Sequence, residues 1–386
     1  MATNRPKVIS HCAKSPYYSC TWSDAALYGE YAGRLVLLSL GNDTNEEYWK
    51  LRKSVGLFDV PERPVEITGP DSVKFLNCVF TRPVDTLRTG RGSYALLCHQ
   101  RGGMVCDGIV FKLAENHYWY VHADADVYTW LVALAGDYKV NIRDPRSWVL
   151  QVQGPRSMEV LAKACDDGGP QEFRYFDITQ SRMGGQEVLV SHTGWSSELG
   201  FEVYNLDPDV DGPALWDHLL SAGADHEIGA CGQLSMNIRR IEGGILNYLT
   251  DMDWHTTPYD VGLGQFVDLE NHDFIGRDAL IRGEKTARFT GFKCHAGRPG
   301  YGAAIVSKGQ SVGRVTAYEI SPYLKCGVGF ALLDSPEFMQ QTGLGVVDRE
   351  GREWPVALVT LPFYDREKRI PRGLPPIDGM FDQVSP

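Results

Sequence analysis

Residues 65–76, VEITGPDSVKFL, and residues 149–161, VLQVQGPRSMEVL, carry the same signals in the same order. Each opens on an alternating or continuous apolar run that fits a strand, breaks at a Gly-Pro turn, and continues with apolar residues at helical spacing. Gly-Pro is a common turn signal, and the echo is short. Its repeated order nevertheless points to two related halves, each mixing strand and helix.

Outward from the first copy, DTNEEYWKLRKSVG at 43–56 reads as a helix with Asp43 or Thr44 as N-cap and Gly56 past its end. GSYALLCHQRGGMVCDGIVFKLAENHYWYVHAD then gives three strands joined by turns. After the second copy, GQEVLVSHTGWSSELGFEVYNL gives a hairpin-like pair and ALWDHLLSAG a helix. From about residue 286 the texture changes to short strands with frequent Gly, which fits a small barrel or sandwich, followed by the Pro-rich stretch IPRGLPPIDGMFDQVSP. The expected units are 1–145, 146–285 and 286–386, in an α+β order with a β-rich C-terminal domain.

A chain of 386 residues and 43.0 kDa exceeds the usual size of one core, in keeping with several packed units. Its net charge of −11 opposes attraction to nucleic acid or anionic lipid, while leaving room for a small ligand held by local charges. The nine cysteines are scattered, without a C-x-x-C pair, and read as reduced thiols of a cytoplasmic protein. No apolar run is long enough for a membrane span, and the N-terminus lacks a secretory pattern. Common nucleotide, zinc-protease and serine-hydrolase signatures are missing. His255 and His272 sit in no ligand spacing, and no metal site is expected.

Three places carry candidate chemistry. In MVCDGIVFKL, alternation puts Val105, Asp107, Ile109 and Phe111 on one face, so an acid shares an apolar side. Such a carboxylate lies at an exposed edge, is paired internally, or lines a polar cavity. In FEVY, Glu202 and Tyr204 share a face; Gly194 and Gly200 bracket the connection that brings Trp195 near them. A solvated hairpin face is the plainer explanation. In NIRRIEGGILNY, Arg239 and Arg240 precede a Gly-Gly pair, which suits either a helix end or an Arg gripping a ligand carboxylate.

Taken together, LFDV at 57, VEITGPDSVKFLN at 65, RGGMVCDGIV at 101, QGP at 153, TGWSSELGFEVY at 193, RIEGG at 240 and VGRVTAYEISPYL at 312 resemble the tetrahydrofolate-dependent aminomethyltransferase family of the glycine-cleavage T-protein. Within it, ERPVEITGPD, HQRGGMVCDGIVFKL, NHYWYVHADAD and RIEGGILNY look closest to the dimethylsulfoniopropionate demethylase branch. The resemblance implies a ring of two related α+β folate-binding domains and a C-terminal β-barrel-like domain around a central folate site.

It also implies roles. Glu202 matches the acid that binds the pterin, where one carboxylate accepts from an adjacent N–H and NH2. Asp107 matches the acid beside the reactive folate nitrogens, Tyr94 an aromatic near the folate, and Arg240 the Arg of the family's R-(I/L)-E-x-G segment. Trp195 and Tyr204 match the methyl-donor pocket of the demethylase branch, and Tyr17 the N-terminal region that closes it. Glu198 is left outside the site. Glycine-cleavage members usually carry Asp-Asp where this chain has Cys106-Asp107, and Tyr where it has Trp195; both differences point away from aminomethyl transfer.

The implied reaction is direct transfer of a methyl from a small onium donor to N5 of tetrahydrofolate, with a neutral thioether leaving. Alignment then dominates the rate, and aromatic faces attract the onium by roughly 0.5 to 2 kcal/mol each. The alternatives are the same chemistry on a methylated amine or aryl methyl ether, the latter needing a proton donor, and a non-catalytic folate-binding relative.

Overall fold

The computed structural model describes residues 11–122, 124–170, 172–375 and 377. Its two Gly-Pro motifs superimpose in kind. Arg63–Thr68 and Val149–Gln153 are strands, and each runs through its turn into an eight-residue helix, Ser72–Val79 and Ser157–Ala164. Both helices bury their first, fourth, fifth and eighth residues: Ser72, Phe75, Leu76 and Val79 in one, Ser157, Val160, Leu161 and Ala164 in the other. Gly69 and Gly154 share a left-handed φ, +124° and +138°. A Cβ would lie 2.4 Å from the Lys139 carbonyl oxygen in the first and 2.3 Å from that of Ser54 in the second. A neighbouring backbone therefore crosses each turn where only glycine leaves room.

Each motif strand receives a three-strand meander. The first sheet runs Arg91–Cys98, Met104–Ala114, His117–His122, Arg63–Thr68, Asn141–Arg143. The second runs Ile178–Met183, Gln186–Ser191, Gly200–Asn205, Val149–Gln153, Gly56–Val60, Gly229–Ala230. In both, the last meander strand returns antiparallel to the motif strand. The expected hairpin at 186–205 is thus a meander that includes Ile178–Met183, whose polar Thr, Gln, Ser and Arg hide the strand pattern. The expected division at 145/146 is crossed by Gly56–Val60, which pairs with Val149–Gln153 in the second sheet.

Asp43 caps the helix Thr44–Lys53, its side chain accepting from the Asn45 amide at 2.9 Å, with Glu46 and Glu47 in the first turn and Lys50, Arg52 and Lys53 in the last. The helix ends before Gly56, which opens the crossing strand. The two sheets face one another across a shared apolar layer that includes Phe58, Val149, Leu189 and Tyr204 from one and Phe111, Trp119 and Val121 from the other. Helices cover the outer faces.

The C-terminal domain is a closed six-stranded barrel, in the order Phe289–Cys294, Cys326–Leu333, Gln310–Ser321, Ala304–Ser307, Leu344–Val347, Glu353–Val359, with the last strand pairing the first. Its interior is filled by Phe292, Ile305, Val315, Leu333 and Val346 among others. The helix Gln233–Glu242 ties the parts together through one buried carboxylate. Glu242 accepts from Tyr48 at 2.8 Å, from Ser321 of the barrel at 2.5 Å and from Tyr364 of the C-terminal segment at 2.5 Å. No described helix is long and apolar enough to cross a membrane.

Candidate active site

Between the sheets and the segment after Glu242 lies a cavity of about 500 Å³. Asp107, Tyr94, Glu202 and Trp195 all line it, so four of the seven residues singled out from the sequence meet there.

Asp107 reaches the cavity by strand alternation, with Ile109 and Phe111 on the same face packing between the sheets. Val105 does not follow. The ladder shifts register where Cys98 opposes Met104, and this bulge turns both Val105 and Cys106 into the core behind the sheet. Cys106 therefore stays off the cavity wall. The Tyr94 hydroxyl donates to Asp107 Oδ2 at 2.7 Å, and Oδ1 is buried with no partner. Burial pushes the Asp107 carboxyl up to about 6, against the opposing pull of the Tyr94 bond.

Glu202 stands on Gly200–Asn205 and is held from several sides. Gln151 donates to Oε1 at 2.8 Å; Tyr204 at 2.6 Å, Thr193 and Ser191 donate to Oε2. Burial raises its pKa and these bonds oppose the rise. Tyr204 shares the face of Glu202, as alternation requires, but its ring is wholly buried between the sheets, edge-on to Trp119. It supports Glu202 and does not line the cavity.

The loop before Glu202 is shaped by packing. Gly194 and Gly200 have ordinary φ values; what they need is closeness, because a Cβ on either would lie 2.2–2.3 Å from the amide of Gln153. That buried amide donates to the Thr193 and Phe201 carbonyls and accepts from Ser196 at 2.6 Å. The left-handed residue of the loop is Ser197, at φ 58°. Glu198 anchors the loop from behind, accepting from Arg239 at 2.6 Å and pairing with Arg52.

Arg240 lies behind the wall. It is paired with Asp251, donates to the Asn237 side chain at 2.9 Å and to the Ile245 carbonyl at 3.1 Å, and its guanidinium sits 5.2 Å from the Trp195 ring centroid. The expected ligand contact is replaced by an internal ion pair, because Asp251 follows the Gly-Gly turn back onto the helix end. Trp195 is fixed further by its indole N–H to the Leu246 carbonyl at 3.3 Å. Tyr17 is also off the site: it is fully buried on the outer side of the second sheet, 6.4 Å from the Trp216 ring. The short helix Tyr18–Thr21 packs there against Gly212–Ala222, which draws Tyr17 into the core.

The sequence reading missed Glu62. It lines the cavity in the connection between Gly56–Val60 and Arg63–Thr68, shares the Gln151 amide with Glu202 at 3.2 Å, and has a buried Oε2 without a partner. Burial, then the Glu202 carboxylate, raise its pKa. Its flanking prolines Pro61 and Pro64 mark a turn and give no periodic signal. Tyr31 and Lys368 were missed too. The Lys368 ammonium donates to the Gly243 carbonyl, and burial lowers its pKa to about 8. No group of His, Cys, Asp or Glu among the described residues is arranged to hold a metal.

The unpartnered oxygens of Asp107 and Glu62, on aromatic walls, suit a ligand rich in N–H donors or bearing positive charge. Comparison with known proteins gives this arrangement a family. Residues 19–271 match the GCVT N-terminal domain and residues 288–365 the glycine cleavage T-protein C-terminal barrel domain. The chain belongs to the glycine-cleavage T-protein, or aminomethyltransferase, family, which uses tetrahydrofolate.

Among its relatives, an aminomethyltransferase of Clostridium botulinum (strain Okra / Type B1) is 33% identical over 327 residues, covering 80% of this chain and 87% of the relative. One from Caldanaerobacter subterraneus subsp. tengcongensis is 33% identical over 338 residues, covering 85% and 89%. The crystal structure of glycine cleavage system aminomethyltransferase T from Bartonella henselae superposes with a TM-score of 0.82 at 24% identity, covering 92% of this chain and 98% of that one, which shows the shared fold.

Proposed function

We propose that the cavity binds tetrahydrofolate and that the chain is a demethylase, moving a methyl group from a small onium compound to the cofactor, with dimethylsulfoniopropionate as the first candidate donor. The observation that carries this reading is that an unpartnered Asp107 oxygen, the Glu202 carboxylate and the Trp195 indole line the same cavity.

Glu202 and Tyr94 would hold the pterin, and Glu202 is already oriented for this by Gln151 and Tyr204. The bound cofactor supplies the nucleophilic nitrogen N5. Asp107 would favour positive charge developing beside it. Trp195, with Tyr31, gives the onium aromatic faces. Alignment in a buried cavity supplies most of the acceleration, and a sulfonium leaves as a neutral thioether with no proton to be found for it. The nine scattered cysteines, without a C-x-x-C pair, fit a reducing, cytoplasmic setting.

Aminomethyl transfer is the second reading, favoured by the name that the relatives carry. The two differ in product. Protein and tetrahydrofolate are incubated separately with dimethylsulfoniopropionate, glycine betaine, dimethylglycine, a methoxybenzoate and an S-aminomethyl thiol donor, and folates are read by mass spectrometry. 5-Methyltetrahydrofolate from the sulfonium supports the first reading. Methyl transfer from glycine betaine instead keeps the onium reading and replaces the candidate donor, whereas transfer only from dimethylglycine or the methoxybenzoate, or methylenetetrahydrofolate from the aminomethyl donor, rejects it.

A further inference from the structure

Two carboxylates meet in the cavity wall, Glu62 from the connection between Gly56–Val60 and Arg63–Thr68, and Glu202 from Gly200–Asn205. One amide bridges them: Gln151 Nε2 donates to Glu202 Oε1 at 2.8 Å and to Glu62 Oε1 at 3.2 Å. Two like charges sharing one donor in a buried place do not both persist, so the pair holds one proton between them.

The hydrogen bonds decide which of the two carries it. Glu202 Oε2 accepts from Tyr204 at 2.6 Å and from Thr193, which together with the shorter Gln151 bond suits an anion. Glu62 has the longer Gln151 bond and its own backbone amide, and its Oε2 is buried without a partner. Arg34 faces Glu62, but its guanidinium donates to the Glu62 and Ser147 carbonyls and lies over the Trp148 ring. The remaining titratable neighbours, Asp59, Tyr31 and Tyr204, bring no positive charge. Burial, then Glu202, raise the Glu62 pKa, with Arg34 opposing.

We propose that Glu62 works in its protonated form, its Oε2–H donating to a carbonyl oxygen of the ligand while the ionised Glu202 accepts from an N–H. The inference rests on the folate reading of the cavity. A pterin carries a ring carbonyl next to an N–H, and a carboxyl beside a carboxylate complements that edge with one donor and one acceptor. Once Glu62 ionises, the donor is lost and a negative charge faces the carbonyl, so tetrahydrofolate binding weakens as pH rises above neutrality.

Affinity for tetrahydrofolate is measured by calorimetric titration from about pH 6 to about pH 9 on full-length wild type, Glu62→Leu, Glu62→Gln and Lys368→Met. Lys368 is included because it lines the same cavity and burial lowers its pKa to about 8. Wild-type affinity is expected to fall by about fivefold or more toward the alkaline end, as for loss of one buried hydrogen bond. Near neutral pH, Glu62→Leu should bind about tenfold more weakly, while Glu62→Gln, whose amide restores a donor, should recover to within about threefold and lose the alkaline fall. Lys368→Met should keep that fall. A flat wild-type profile, a fall that survives in Glu62→Gln, or equal weakness of Glu62→Gln and Glu62→Leu would overturn the assignment. Should either Glu62 variant melt early, wild type against Lys368→Met decides: a fall shared by both supports Glu62, and a fall lost with Lys368 overturns it. Failure of wild type to bind at any pH would instead overturn the folate reading and the role of Glu62 with it.

Discussion

Tyr94 donates its hydroxyl hydrogen to Asp107 Oδ2 over 2.7 Å, while Oδ1 of the same carboxylate remains buried and unpartnered. One oxygen is thus fixed by the protein and one is left for a ligand. Asp107→Asn keeps the shape and removes the charge. It is expected to lower kcat for methyl transfer by about 10² to 10³, the range for loss of one preorganised electrostatic contact, with folate affinity nearly unchanged. A kcat within threefold or so of wild type would remove Asp107 from the reaction.

The same pair fixes a pH dependence. Burial raises the Asp107 carboxyl to about 6, so its ionised form is lost as pH falls through that value, and kcat/KM should fall with it. The Tyr94 bond works against the rise, so Tyr94→Phe should move the acid limb to higher pH. A limb that stays in place would separate Asp107 from the observed titration.

Glu202→Gln leaves the Tyr204, Thr193 and Ser191 hydroxyls to compete for a weaker acceptor and removes the charge offered to the pterin. Folate affinity should fall by about 10- to 100-fold, as for loss of a charge-assisted bond. Calorimetric titration checks this, and unchanged affinity would sink the pterin contact.

Trp195→Ala should raise KM for the onium donor by roughly 2- to 30-fold, the span of one cation–π contact, and leave folate affinity in place. The comparison belongs in steady-state kinetics with folate saturating. A variant that loses folate binding and spares donor KM would place the indole against the cofactor.

Glu198→Ala leaves Arg239 and Arg52 without their carboxylate in a buried position. Breaking such a pair costs about 3 to 5 kcal/mol, so the denaturation midpoint should drop clearly. A midpoint equal to wild type would show that the Glu198 pairs do not hold the loop.

Much of this was legible because it depends on local pattern. The strand, Gly-Pro turn and helix order marked both halves, and Gly69 and Gly154 lie where a crossing backbone demands glycine. Alternation put Asp107 on an apolar face and paired Glu202 with Tyr204. What stayed hidden depends on distant chain. Arg240 looked free for a ligand because Asp251, eleven residues on, folds back to it. Gly194 and Gly200 looked like turn glycines, whereas Gln153, from another strand, is what they accommodate. Glu62 stands in a Pro-flanked connection, and only the crossing of Gly56–Val60 into the second sheet brings it beside Glu202. Tyr17 and Tyr204 were expected at the donor and are packed off the cavity wall, since a large ring at an apolar position is more readily drawn into a core than left on such a wall.

The central claim is that a methyl group passes intact from an onium donor to tetrahydrofolate in this cavity. The direct measurement is mass spectrometry of the folate formed from dimethylsulfoniopropionate bearing trideuterated methyl groups, with wild-type protein and Asp107→Asn side by side. The account predicts 5-methyltetrahydrofolate carrying all the deuterium of one methyl, formed by wild type and sharply reduced in the variant. No labelled folate from wild type, under conditions where tetrahydrofolate is bound, would contradict it.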